Sequence, residues 1–196
     1  MRIRLGLSIL VLGLAVTVVG CGTPPTADID AAKAAITAAG TAGAGEYAAA
    51  SLKAAEDAQA ALDAELKAQD GKMFKSFDKA KDLALAAKAA GEKAAADAAA
   101  GKEKAKADAT QAIADAKAAL TEAQGLLDKA PKGKGSAADI AAMKTDLTNA
   151  ATTITEAEAA MGTAKFLEVK AKAESAKNAA TTVKTSVEAA MAVKKK

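Results

Sequence analysis

Cys21 is the residue whose chemistry stands apart, because the 196-residue chain has one cysteine and no histidine. The cysteine follows an uncharged apolar run, Leu5–Val19, and Arg2 and Arg4 precede that run. A basic start, a short apolar stretch and a small residue before the cleavage point are the parts of a secretory signal peptide. The run is also shorter than the roughly 20 residues that span a bilayer. Residues 1–20 are therefore predicted to be a signal peptide.

The stretch Val18-Val19-Gly20-Cys21 resembles the bacterial lipobox, in which an aliphatic residue, a tolerant position and a small residue precede a cysteine. By that resemblance the Cys21 thiol receives a diacylglyceryl group, a signal peptidase cuts between Gly20 and Cys21, and the new amine is acylated. An acylated cysteine would attach the chain firmly to a membrane, since stable anchoring takes more than one acyl chain. An ordinary signal peptide, or a membrane anchor with an incidental cysteine, is the alternative.

The residues after the cysteine bear on where the protein would sit. Gly22 occupies the position at which aspartate retains enteric lipoproteins in the inner membrane, so the resemblance implies an outer-membrane protein that faces the periplasm. Residues 21–27 would form a short lipidated tether, which Pro24-Pro25 stiffens. We therefore expect the body of the protein to lie close to the membrane.

The remaining composition argues against catalysis and against nucleic-acid binding. Without histidine there is no imidazole base and no histidine-ligated metal, and carboxylates such as Glu56-Asp57 and Glu156 alternate with lysines on predicted solvent-facing surfaces. Removing Arg2 and Arg4 leaves 25 of the 27 basic side chains against 24 acidic ones, which is too balanced for a nucleic-acid interface. We predict a protein that is not an enzyme and takes no cofactor and no metal.

The body is rich in alanine, lysine and acidic residues, and its apolar residues recur at helical spacing. Five helices are predicted: about residues 28–39, about 47–69, from near Met73, from a cap at Ser136, and from near Phe166 to the C-terminus. The third has an apolar seam that shifts phase at Gly101, so it is either one helix of about 55 residues or two helices with a kink or break there. Phe74, Phe77 and Phe166 are expected to be core residues.

An internal repeat accounts for the order of the helices. Residues 32–39 (AKAAITAA) match residues 116–123 (AKAALTEA) at an offset of 84, and Gly71 matches Gly162 at an offset of 91. The predicted fold class is all-α: an elongated, alanine-rich, antiparallel helical bundle of coiled-coil character with two tandem three-helix units. The first helical unit is predicted over residues 28–104 and the second over 105–196.

The segment from Gly45 to Ala90 resembles an alanine-rich helical domain of Gram-negative lipoproteins, domain of unknown function 4398. The similarity lies in Tyr47, Leu52, the Asp70-Gly71 turn, Phe74 and the alanine-rich helix that follows. It covers about residues 21–105 and, weakly, the second unit. The resemblance implies an envelope location and a helical fold, and it implies no catalytic residues.

The C-terminal sequence Val193-Lys194-Lys195-Lys196 has two interpretations. It is a basic last turn that complements the helix dipole, or Lys196 is joined to peptidoglycan, as its similarity to the murein lipoprotein of the outer membrane implies. Together these features predict a membrane-anchored, periplasm-facing structural or scaffolding module of the cell envelope. Its partners would be the membrane, through acyl chains on Cys21, and peptidoglycan or envelope proteins. The alternative is a carrier or chaperone for lipid or hydrophobic peptide.

Overall fold

The computed structural model describes residues 22–130 and 137–193, and these residues are 88% helical with no strand among them. Their six helices are α1 (Thr26–Thr41), α2 (Ala44–Tyr47), α3 (Ala49–Asp70), α4 (Asp78–Asp128), α5 (Ala137–Met161) and α6 (Phe166–Val193). The all-helical prediction is confirmed. The predicted signal peptide, Cys21 and the predicted helix cap at Ser136 lie outside the described residues.

The long helix α4 is the element around which the other helices are arranged. It runs without interruption for 51 residues, through Gly101, and is therefore about 76 Å long. Of the two possibilities left open by the sequence, the single helix is the correct one. No proline lies within it, and its buried positions are mostly alanine.

The first half of α4 packs against α1 and α3, which run in opposite directions. Ile29 shares a cluster with Ala84, and Ala39 shares the next cluster with Ala98, so α1 is parallel to α4. The Lys79 ammonium lies 2.6 Å from a carboxylate oxygen of Glu65 near one end of α3. The Ser51 hydroxyl donates to Asp97 at the other end, so α3 is antiparallel to α4.

The second half of α4 packs in the same manner against α6 and α5. Three lysines of α6 form ion pairs with acidic residues of α4, and successive pairs are seven residues apart on both helices: Lys170–Asp108 (3.4 Å), Lys177–Asp115 (2.9 Å) and Lys184–Glu122 (2.6 Å). This constant spacing makes α6 parallel to α4. Lys117 pairs with Glu158, and Leu127 shares a cluster with Leu147, so α5 is antiparallel to α4.

Glycine permits the closest approach between α1 and α4. A Cβ atom on Gly91 would lie 2.8 Å from the backbone carbon of Ala35 and 2.8 Å from the nitrogen of Ile36. Such distances are well inside van der Waals contact, so any side chain at this position would push the two helices apart. Small side chains make few dispersion contacts, but they let the helix axes approach closely. The close approach brings more atoms of the two helices into contact and so restores much of the dispersion attraction.

Gly101 lies where the two halves of α4 meet, and it too is a point of close approach. A Cβ atom there would overlap the carbonyl oxygen of Tyr47, at the end of α2. The Tyr47 hydroxyl reaches in the other direction and donates a 3.0 Å hydrogen bond to the carbonyl of Ala164, between α5 and α6. Tyr47 therefore connects the helices of the first half to those of the second.

Two predictions about the start of the third helix are wrong: its first residue and the burial of Phe74. α4 begins at Asp78 rather than near Met73, and the preceding loop leaves Met73 and Phe74 exposed. Phe77 does pack against the cluster that contains Leu62, and Phe166 is buried as predicted. The glycine-rich turn after α1 contains the four-residue helix α2, which Gly43 introduces at a left-handed φ of 88°.

The glycines of α4 give a direct test of this packing. Gly91→Ala and Gly101→Ala should each lower the free energy of unfolding by about 1–3 kcal/mol, because the new methyl group must displace backbone. Gly125→Ala is the matched control: the same helix has open space there, and the higher helix propensity of alanine should stabilise the protein by about 0.5–1 kcal/mol. Urea denaturation followed by circular dichroism measures all three. A stabilising Gly101→Ala substitution would contradict the close contact with Tyr47.

Candidate functional site

The residues predicted to carry attachment lie outside the described part of the chain. This applies to Gly20 and Cys21 at the predicted cleavage site and to Lys196 at the C-terminus. The structure does describe the segment that follows the cysteine. Gly22 has a φ of 104°, and the Pro25 carbonyl accepts a 3.0 Å hydrogen bond from the backbone N–H of Ile29, so the helical hydrogen bonds begin at this proline.

Three helix ends lie together beside this segment. α1 begins at Thr26, α3 ends at Asp70 and α4 begins at Asp78. Ile29 and Leu62 belong to one buried cluster, which places the start of α1 and the end of α3 at the same end of the molecule. From Leu62, α3 extends for another eight residues, about 12 Å, toward that end. We call this part of the molecule the anchor end.

A polar cluster holds the loop of residues 71–77 at the anchor end. The Gln69 side-chain amide donates a 2.6 Å hydrogen bond to Glu65, and its Oε1 accepts one of 3.3 Å from the backbone N–H of Ser76. Lys79 pairs with the second carboxylate oxygen of Glu65 at 2.6 Å. Glu65 and Gln69 are the buried polar side chains among the described residues, so this network joins the end of α3 to the start of α4.

The hydrogen-bonded loop presents apolar side chains to solvent. Met73 is 92% exposed and Phe74 is 89% exposed, whereas Phe77 turns into the core cluster of Ile29 and Leu62. Lys72 and Lys75 flank the two exposed residues, and the loop from Gly71 to Phe77 contains no acidic residue. We call Lys72–Lys75 the apolar tip.

The surfaces of the second half are polar and lined by paired charges. One shallow groove between α5 and α6 is lined by Asn149, Thr153 and Thr182, among others. Another, between α4 and α6, holds Asp108 and Asp115, whose lysine partners lower the pKa of each carboxyl. Carboxylates with lowered pKa values accept protons poorly, so this groove is unsuited to general-base chemistry.

Within residues 22–130 and 137–193, no group of three or more acidic, histidine or cysteine side chains is arranged to hold a metal ion. No helix in those ranges is both long and apolar enough to cross a membrane.

Comparison with known proteins gave no match: no family model, no curated protein and no solved structure is significantly similar to this chain.

The polar cluster at the anchor end was not identified from the sequence. Its members are separated by a loop, and only the Glu65–Gln69 spacing of four residues has a recognisable helical period. The exposed state of Met73 and Phe74 depends on the same cluster, because it fixes where α3 ends and α4 begins.

The pKa of Glu65 is lowered mainly by its hydrogen bond with Lys79 and, to a smaller extent, by its hydrogen bond with Gln69. This lowered pKa predicts that the stability of the fold depends on pH. A carboxyl whose pKa is lower in the folded state stabilises the fold above its unfolded pKa, and this contribution is lost as the pH falls through the folded value. The melting temperature should therefore decrease as the pH is lowered below about 4. Glu65→Gln should weaken that dependence and lower the melting temperature at neutral pH.

Glu103→Gln serves as the control, because it removes an exposed carboxylate from α4. Thermal melts of the three proteins between neutral and acid pH make the comparison. Parallel pH profiles for the unsubstituted chain and Glu65→Gln would contradict the assigned role of Glu65.

Proposed function

We propose that this protein is a lipid-anchored structural or scaffolding module of the bacterial cell envelope, held in the outer membrane through acyl groups on Cys21 and facing the periplasm. The observation that carries the proposal is the leader sequence that ends at Gly20-Cys21. The absence of histidine from the chain and the ion-paired carboxylates of its surface grooves favour a binding or structural role over catalysis. The proposed kinship with domain of unknown function 4398 is in keeping with this location.

The arrangement of the helices supports a tandem repeat as part of this proposal. In the first unit, α1 and the first half of α4 are parallel, with α3 antiparallel to them. In the second, the second half of α4 and α6 are parallel, with α5 antiparallel. Glu65 and Glu156, which are 91 residues apart, each pair with a lysine of the next helix: Lys79 and Lys172 respectively. We infer that two copies of one three-helix unit share α4.

The length of α4 suits a spacer. Only Gly22–Pro25 separates Cys21 from α1, and such a segment spans at most about 15 Å. α6 is parallel to α4 and ends at Val193, so the last described residue lies at the end of the bundle opposite Thr26.

A C-terminal link through Lys196 would then connect peptidoglycan to the membrane across the length of the bundle. Envelope proteins that contact the sides of the bundle are the other proposed partners. Muropeptides from purified sacculi that carry a peptide ending in Lys196 would support the link, and their absence would leave the membrane anchor as the sole attachment.

The alternative role, as a carrier or chaperone for lipid or hydrophobic peptide, would require the bundle to open. The large apolar side chains Leu62, Val169 and Val187 are fully buried against neighbouring helices, so a ligand would have to displace these contacts. The scaffold is therefore the function we favour.

The proposed anchor predicts the chemical form of the mature protein. Mass spectrometry of the membrane-extracted chain should show an N-terminus at Cys21 that carries a diacylglyceryl group and an amide-linked acyl chain. Cys21→Ala should abolish both acylation and cleavage at Gly20. A matched Thr23→Ala substitution should leave processing intact. A Cys21→Ala chain that still begins at residue 21 and still partitions into membranes would contradict the proposal.

A further inference from the structure

We propose that the apolar tip, Lys72–Lys75, inserts into the surface of the same bilayer that holds the acyl chains of Cys21. This inference rests on the proposed function, because it assumes that the chain is anchored at Cys21. It adds a second, protein-mediated membrane contact and thereby an orientation of the bundle relative to the membrane.

The first argument is the exposure of the tip. Met73 and Phe74 are adjacent large apolar side chains, and both are almost completely exposed. Among the described residues, the next most exposed large apolar side chains are Leu85 and Leu167, which are only about half exposed. Single exposed apolar residues are ordinary on protein surfaces, but two at the tip of one loop, held away from the core, are a typical contact point for an apolar phase.

The second argument is that hydrogen bonds fix the loop in a conformation that exposes Met73 and Phe74. Gln69 binds the backbone N–H of Ser76, and Glu65 binds both Gln69 and Lys79. Phe77, from the same loop, is partly buried and packs against the core cluster of Ile29 and Leu62. The loop therefore packs one of its large apolar residues against the core and leaves the other two exposed, where they gain nothing from the fold itself.

The third argument is position. The tip follows α3 by two to five residues and lies at the anchor end, where Gly22–Pro25 leads back to Cys21. α3 extends about 12 Å past Leu62, whereas α1 begins about 4.5 Å before Ile29 of the same cluster. The four residues before Thr26 span at most about 15 Å, which is long enough for acyl chains on Cys21 and the tip to enter the same bilayer.

The fourth argument is that the charge of the tip favours an anionic bilayer surface as its binding partner. Lys72 and Lys75 flank the apolar pair, and no acidic residue lies in the loop. Asp70 lies 3.7 Å from Lys75 but is itself largely exposed, so the pair is weak. Apolar side chains beside lysines suit a bilayer interface with anionic headgroups, where the lysine ammonium groups lie at the phosphates and the apolar groups lie below them.

The test uses the fact that the chain contains no tryptophan. Phe74→Trp introduces a single fluorescent reporter at the tip, and Leu167→Trp introduces one at the start of α6, near the middle of the molecule. Each full chain is produced in a host that acylates lipoproteins and is checked for acylation by mass. It is then reconstituted into phosphatidylethanolamine–phosphatidylglycerol vesicles with and without phospholipids brominated near the headgroup.

The tryptophan of the Phe74→Trp chain should emit at shorter wavelength in vesicles than in their absence. Brominated lipid should quench it several-fold more strongly than it quenches the tryptophan of the Leu167→Trp chain. Adding Lys72→Glu and Lys75→Glu to Phe74→Trp should reduce this quenching. An acylated, vesicle-bound Phe74→Trp chain that is quenched no more than Leu167→Trp would overturn the inference and leave the proposed function intact.

Two other results would also be decisive. A blue shift without quenching by brominated lipid would mean that the tip contacts another protein surface, such as a second copy, and would overturn membrane insertion. A mature chain without acyl groups would overturn the proposed function, and the inference would fall with it.

Discussion

The structure depends on one constraint: α4 must continue as a helix past Gly101 while the backbone of Tyr47 lies directly against it. Glycine is the residue that satisfies this constraint, because even a methyl group would overlap the Tyr47 carbonyl. The usual cost of glycine within a helix, about 1 kcal/mol relative to alanine, is thus offset by a contact that alanine cannot make. Since all the other described helices pack along α4 or adjoin those that do, a break at Gly101 would separate the two halves.

Register along α4 is set by charge as well as by shape. Alanine surfaces slide past one another more readily than surfaces with large interlocking side chains, because they offer few distinct knobs and holes. The three ion pairs between α4 and α6, spaced by seven residues, discriminate against such slippage even though each exposed pair contributes little energy on its own. In the first half, the buried Glu65 network serves the same purpose, and the Tyr47 hydrogen bond holds the first half against the second.

Much of this fold could be predicted from the sequence, and the failures have a common cause. The apolar pattern of helical spacing predicted the helices, including the one from near Phe166, where α6 begins. Gly101 was ambiguous because helix propensity treats glycine as a weak point, whereas its actual role depends on Tyr47, more than 50 residues away in sequence.

Met73 and Phe74 were misassigned for the same kind of reason. Met73 precedes Phe77 by four residues and so continues the apolar pattern of α4, but the tertiary contacts of Gln69 and Glu65 end the preceding helix and set the start of α4 at Asp78. Attachment at Cys21 is the opposite case. It is predicted from a short linear pattern, and the fold contributes only the geometry that would make such an anchor useful.

The most direct test of the account measures whether α4 is a single straight helix across Gly101. Spin labels on cysteines introduced at Ala86 and Thr121, both exposed, lie 35 residues apart along the helix. Pulsed electron resonance on the folded protein should give one narrow distance distribution centred near about 52 Å, the rise of 35 helical residues. A substantially shorter distance, or two populations, would mean that α4 bends or breaks at Gly101 and would contradict the account.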